Sequence, residues 1–206
     1  GPRPAGCIIN TCFQVTSQNP ILAISLNKNN FTLEAIRRTR RFGLSILAED
    51  TDPSVIGSFG FRSSREHNKY ADFGYDIVEG VPMVNGKFAG RLVLDAINFV
   101  DNETHVVVLA RLVDTVKGEG IPMTYDYYHR VVKGRAPKNA PTYVPPSAEE
   151  KAGKEEAAAP AEATGKRRFR CNRCGYVAEM DGELPDDYQC PICKAPKAEF
   201  TEIGNK

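Results

Sequence analysis

Four of the chain's six cysteines stand as two C-x-x-C pairs, Cys171/Cys174 and Cys190/Cys193, with fifteen residues between the pairs. Two such turns brought together make a tetrahedral cage of thiolates for zinc or iron, and the spacing alone does not choose between the metals. The cysteines gather in one short stretch of a chain otherwise poor in them. Metal ligation in a reducing compartment, the cytoplasm, therefore fits them better than a secreted disulfide framework. Local chemistry adds to this. In "CNRCGY" a glycine follows the second thiolate, where backbone amides can approach sulfur and tune an iron centre. Phe169, Tyr176, Tyr188 and Phe200 supply a small hydrophobic wrapper.

So small a cage is joined to a much larger body. The chain has 206 residues, 41% of them apolar and 26% charged, with a formal net charge of +1. That balance offers no electrostatic footprint for nucleic acid, and no apolar run is long enough for a membrane span. The composition divides the chain into residues 1–136, which are strand-rich, 137–165, and 166–206, which hold the cysteines. The middle segment, with "PSAEEKAGKEEAAAPAEATG" within it, is nearly free of large apolar residues. It reads as a flexible tether.

Within the first segment, "GCIINTCFQVT" and "PILAISLN" read as strands separated by a turn, and "NNFTLEAIRRTRRF" reads as a helix. Asn30 or Thr32 can cap that helix, and four arginines lie toward its end. "DPSVIGSFG" has the proline of a helix first turn. "GRLVLDAINFVD" and "THVVVLARLVDTV" are long paired strands. Many strands with short helices and no strict βαβ alternation predict a mainly β barrel rather than a doubly wound sheet. "SLNKNNFT" joins a strand end to a helix start. There free N–H groups, with Ser25, Asn27, Lys28, Asn30 and Thr32 beside them, suit a phosphate. Alternation in the first strand puts Ile8, Asn10, Cys12 and Gln14 on one face and Ile9, Thr11, Phe13 and Val15 on the other. An amide beside a thiol on one face suits the edge of a flat heterocycle. Cys7 reads as a small core residue, and Arg62 and Arg65 as solvated surface.

"RFRCNRCGYVAE" with "DGELPDDYQCPICKAPKAEFTEI" resembles the rubredoxins. It departs from them in a short loop between the pairs, in Lys194 where glycine is common, and in Tyr188 where tryptophan is frequent. "GCIINTCFQVTS", "NPILAISLNKNNFT", "GSFGFRSSREHNKY" and "GIPMTYDYYHRVVKGRAPKNAPTY" resemble the flavin reductase family, in its flavoredoxin-like branch. Together the segments resemble the high-molecular-weight rubredoxins. The resemblance implies an FMN-binding split β-barrel followed by a rubredoxin-like domain with one iron on Cys171, Cys174, Cys190 and Cys193. It also implies a further short strand before "GPRPAGCIIN".

By the same resemblance, Asn10, Thr11 and Cys12 lie along the isoalloxazine, and Ser25, Asn27, Lys28, Asn30 and Thr32 surround the phosphate. His129 comes toward the flavin, where with Cys12 it is a candidate for the catalytic site. Electrons would pass from NADH or NADPH through FMN to iron and on to a flavodiiron-type acceptor, with the barrel a homodimer. Two other readings stand beside it. One is a reductase that supplies free reduced flavin; the other is a non-enzymatic binding protein with a zinc ribbon.

Overall fold

The computed structural model describes residues 3–132, 134, 136, 140–142 and 166–203. The tether expected over 137–165 lies, apart from 140–142, outside them. The larger body is mainly β. Its sheet consists of β1 (Cys12–Thr16), β2 (Ile21–Asn27), β3 (Arg41–Leu47), β6 (Phe88–Asp101) and β7 (His105–Lys117), in the order β1-β2-β7-β6-β3. All the pairings in it are antiparallel. A separate hairpin of β4 (Tyr75–Val78) and β5 (Val81–Val84) lies beside β3.

Between the strands run α1 (Phe31–Thr39), α2 (Pro53–Phe61) and α3 (Tyr125–Arg130). β6 and β7 form a long two-stranded ribbon whose register shifts at Val93/Leu94 and Ala96/Asn98. Such bulges bend a ribbon and increase its twist, which curls the sheet around a core. That core holds Ile24, Leu26, Leu33, Ile36, Leu94, Val106 and Val108.

Helix limits follow from local chemistry. Asn30 caps α1, its side-chain oxygen accepting from the Thr32 N–H at 2.9 Å. Asp52 does the same for α2 through Ser54 N–H. Of the four arginines expected near the end of α1, Arg37 and Arg38 lie in its last turn. Arg40 takes a left-handed backbone (φ 62°) and ends the helix, and Arg41 opens β3 with a bidentate ion pair to Asp95. Apolar–polar alternation suggested a strand from Gly6 onward, but β1 begins only at Cys12. Residues 6–11 instead form an irregular strap fastened elsewhere. Ile8 N–H donates to the Phe59 carbonyl, and Gly6 exchanges hydrogen bonds with the Ser64 hydroxyl. The two-faced pattern expected for residues 8–15 therefore does not hold before Cys12.

Buried Lys69, 3% exposed, donates to the carbonyls of Gly6 and Phe59 at 2.8 and 3.1 Å, pinning the strap to the end of α2. Burial holds its ammonium down at about 8.

The smaller body is a three-stranded sheet ordered β10-β8-β9, made of β8 (Arg167–Cys171), β9 (Val177–Met180) and β10 (Phe200–Ile203). Phe169, Ala178 and Leu184 form its core, with Tyr176, Tyr188 and Phe200 packed around them. This is the aromatic wrapper expected from the sequence.

Candidate functional site

The four cysteines of the small body converge: their sulfur atoms lie within 4.8 Å of one another and all four are buried. Cys171 and Cys193 sulfurs are 3.6 Å apart, and those of Cys174 and Cys190 3.5 Å. A tetrahedron with metal–sulfur bonds of about 2.3 Å has edges only slightly longer than these, so the donor set fits a four-coordinate metal.

The two turns are near copies. Gly175 N–H donates to the Cys171 carbonyl and Lys194 N–H to the Cys190 carbonyl, each at 2.9 Å. Cys171 N–H reaches the Tyr176 carbonyl and Cys190 N–H the Ala195 carbonyl, each at 2.8 Å. Both turns need a left-handed residue after the second cysteine. Gly175 (φ 79°) supplies it in the first, and Lys194 (φ 56°) in the second, where the backbone strain is real for a side chain.

Backbone N–H groups of Cys174, Tyr176, Cys193 and Ala195 face the sulfurs of Cys171, Cys174, Cys190 and Cys193 in that order, and each favours the thiolate. Hydrogen bonding among the sulfurs holds Cys171 far below the ordinary thiol range and pushes Cys174 and Cys190 above it. A metal stabilises the thiolate form of all four, so its binding releases protons.

The larger body contains a cavity of about 890 Å³, within the range of cofactor sites. It runs from the strap to α1, β3 and the start of α3. Asn10 and Cys12 line it, as does Thr32. The Thr32 hydroxyl is buried and has no hydrogen-bond partner in the structure. An orphan hydroxyl at a helix N-terminus fits an incoming phosphate, because a phosphate oxygen would take its proton at the positive end of the helix dipole. The cavity's mostly apolar walls suit a flat ring system. On these features the residues present fit FMN.

The remaining candidates lie around this cavity without lining it. Ser25 sits in β2, opposite Val107 of β7. Asn27 accepts from Asn29 N–H, Asn30 is occupied as the cap, and Lys28 reaches Asp101 at 3.9 Å. Thr11 donates to Asn10, whose amide donates to Thr142. His129 bonds the Gly134 carbonyl through Nδ1 at 2.9 Å and meets the Tyr125 ring edge-on at 4.2 Å. Cys7 packs on the barrel core, as expected, and its thiol also faces Thr32 and Asn30 at the start of α1; burial raises it. Cys12 is raised for the same reason.

Sequence reasoning missed what three residues touch. Arg65, expected as solvated surface and half-exposed here, pairs with Glu34 in the first turn of α1 and stacks on Phe31. Ile56 and Tyr128 line the cavity and also belong to the cluster that holds the four cysteines. No periodicity within either segment announces such shared packing.

Residues 1–134 match the family described as flavin reductase like domain, and residues 169–201 the rubrerythrin, rubredoxin-like domain. The chain belongs to the flavin reductase-like family of oxidoreductases, and carries a rubredoxin-like domain with four cysteines for iron. It is 35% identical to "High molecular weight rubredoxin" of Moorella thermoacetica across 98% of this chain and 91% of that protein. It is also 35% identical to "Ferric-chelate reductase (NAD(P)H)" of Archaeoglobus fulgidus, over 68% of this chain and 85% of that one. Among solved structures, an FMN-binding protein from Thermus thermophilus superposes with a TM-score of 0.50 at 20% identity. That match covers 54% of this chain and 62% of the other. Flavin and rubredoxin parts in one chain make it an electron-transfer protein.

Proposed function

We propose that the chain passes electrons from NADH or NADPH through FMN in the barrel cavity to one iron on Cys171, Cys174, Cys190 and Cys193, and on to an external acceptor such as a flavodiiron protein. FMN would supply the conversion this needs, accepting two electrons as one hydride and releasing them singly. The observation that carries the reading is the shared wall. Ile56 and Tyr128 border the cavity on one side and pack with the cysteines on the other. The nicotinamide donor is supported by the printed name of the ferric-chelate reductase relative.

The chain's own groups divide the work. Thr32 and the N-terminus of α1 would hold the phosphate, with Lys28, Asn27, Asn30 and Ser25 setting the turn behind it. The strap and first strand, through Asn10, Thr11 and Cys12, would run along the ring, and His129 with Cys12 would border the nicotinamide. We place the flavin domain at residues 1–136, the tether at 137–165 and the rubredoxin-like domain at 166–206, working in the cytoplasm.

A homodimer is supported by β1. All five of its residues are exposed, Phe13 and Val15 at 57% and 48%, and the outer reaches of the β6–β7 ribbon expose Ile97, Val100, Val113 and Val116. Apolar surface of that kind on an edge strand and a ribbon suits a second copy of the same chain.

The test is stopped-flow absorbance of the FMN- and iron-loaded chain after mixing with NADH or NADPH. The flavin band should bleach first and the ferric thiolate band follow. Iron reduction at the same rate in flavin-free protein would overturn the reading.

A further inference from the structure

α2 buries five consecutive residues, Val55 to Phe59. Gly57 in their midst has no obvious reason in the barrel. The space a Cβ would take is filled by the Ile192 carbonyl group and the Cys193 backbone, and these are its three nearest heavy atoms. The glycine is thus explained by the cysteine module. Only a bare Cα lets the second turn of the cage settle on the helix. Around this contact, Ile56 and Tyr128 pack with Ile192, Ala195 and the four cysteines, and Leu47, Met123 and Ile8 border the same cluster. Ile192 and Ala195 are 2% and 0% exposed. The Asp52 carboxylate that caps α2 is lowered mainly by its hydrogen bonds to Ser54, and the Lys194 ammonium of the seated turn adds the smallest contribution.

We propose that the Pro191–Ala195 turn seats on α2 over Gly57, and that this seat is the intramolecular docking surface across which the iron site takes electrons from the flavin cavity. The occupant is this chain's own module, and the layer between the two sites is a single thickness of side chain, Ile56 and Tyr128. Electron tunnelling falls steeply with distance, so a one-residue wall makes the seat the productive position. One electron moves at each seating. Ferric iron becomes ferrous, and the reduced flavin gives up one of its two electrons; the second follows after a one-electron acceptor has reoxidised the iron. The electron-transfer role rests on the function proposed above, whereas the seat itself is read without it.

The experiment uses the full-length chain loaded with FMN and iron, as wild type, Gly57→Ala and Gly57→Gln, with Gly182→Ala as control. A Cβ at Gly182 meets no atom within 4 Å. Alanine and glutamine are better helix formers than glycine, so α2 itself should persist, and unchanged FMN content would confirm it. Hydrogen exchange followed by mass spectrometry reads residues 53–61 and 190–196, and small-angle scattering reads compactness.

The Gly57 variants should lose protection in both segments by about tenfold, the shift an overpacked contact imposes on a docking equilibrium. They should also expand, with the iron–thiolate spectrum intact and Gly182→Ala like wild type. Their flavin-to-iron step should slow while reduction of the flavin by NADH does not. Gly57→Gln with wild-type protection and compactness would overturn the seat. Loss of the seat with an unchanged flavin-to-iron rate would overturn its role in transfer. If wild type shows the seat in hydrogen exchange but NADH leaves its flavin oxidised, the functional reading fails, taking the transfer role with it, and the seat stands.

Discussion

The two sites of this chain are built by opposite strategies. The thiolate cage draws every ligand from Cys171 to Cys193, and the hydrogen bonds of its two turns close within residues 171–195. The barrel cavity draws its lining from Arg3 to Ala140, and Thr32, proposed to hold the phosphate, owes its position to the turn after β2 and the Asn30 cap. A site made of near neighbours depends on its metal for stability. One made of distant segments depends on the fold and tolerates the loss of a single donor. Four substitutions press on that difference.

Cys190→Ala should have the largest effect. Three thiolates hold iron poorly, and metal binding on the order of 10 kcal/mol is also folding free energy for so small a domain. Iron content should fall to near zero and exchange protection of β8–β10 should collapse, while the barrel keeps its FMN. Loss of FMN along with the iron would mean the two sites are one cooperative unit.

Lys69→Met probes the strap. The folded value of about 8 lies below the ordinary 10.5, so the unfolded chain binds the extra proton. Stability carried by this group is absent at low pH, and it grows as pH climbs from 8 toward 10.5. Replacing the lysine should stabilise the barrel by about 2 kcal/mol more at neutral pH than near pH 10, before the loss of its two hydrogen bonds is counted. Urea melts of both proteins at the two pH values give the difference directly. Cys7, raised mainly by burial, acts with the opposite sign above its ordinary value of 9.0; the Lys69 charge partly lowers it, so the substitution raises it further and the melts are compared below that value as well as near pH 10.

Thr32→Val should weaken FMN about tenfold, the loss expected for one hydrogen bond to a charged group, and leave riboflavin binding unchanged. Fluorescence titration with both ligands is the check; equal losses would remove the phosphate role. The smallest effect is a gain. Lys194→Gly relieves a left-handed side chain and should stabilise the cage by about 1 kcal/mol, seen as a higher denaturant midpoint for loss of the iron band.

The same contrast governs what could be read from the sequence. The cage was legible because an i, i+3 cysteine spacing is a local geometric instruction, repeated. The Asn30 cap, one of two candidates with Thr32, was legible for the same reason, as was the position of Pro53. The strap was not. Its alternating residues look like a strand, but the Ile8 N–H finds its acceptor at Phe59, and Lys69 and Ser64 hold Gly6 from beyond α2. The end of α1 was blurred because arginines suit a helix terminus whether or not they lie within it; the left-handed Arg40 and the Arg41–Asp95 pair settle the boundary. Gly57 was opaque, since the atoms that exclude its side chain belong to the far end of the chain. Its neighbours Ile56 and Tyr128 read as ordinary packing, which they are, for two sites at once.

β1 hydrogen-bonds to a neighbour on one side only, and its five residues are all exposed. If a second copy completes that edge, protein concentration becomes a thermodynamic variable of the fold. Dilution would then act as a denaturant, lowering the melting temperature of the barrel and loosening the strap and the cavity wall behind it. The cysteine cage, closed within its own short segment, would lose nothing. The chain would come apart first where its ligands are gathered from afar.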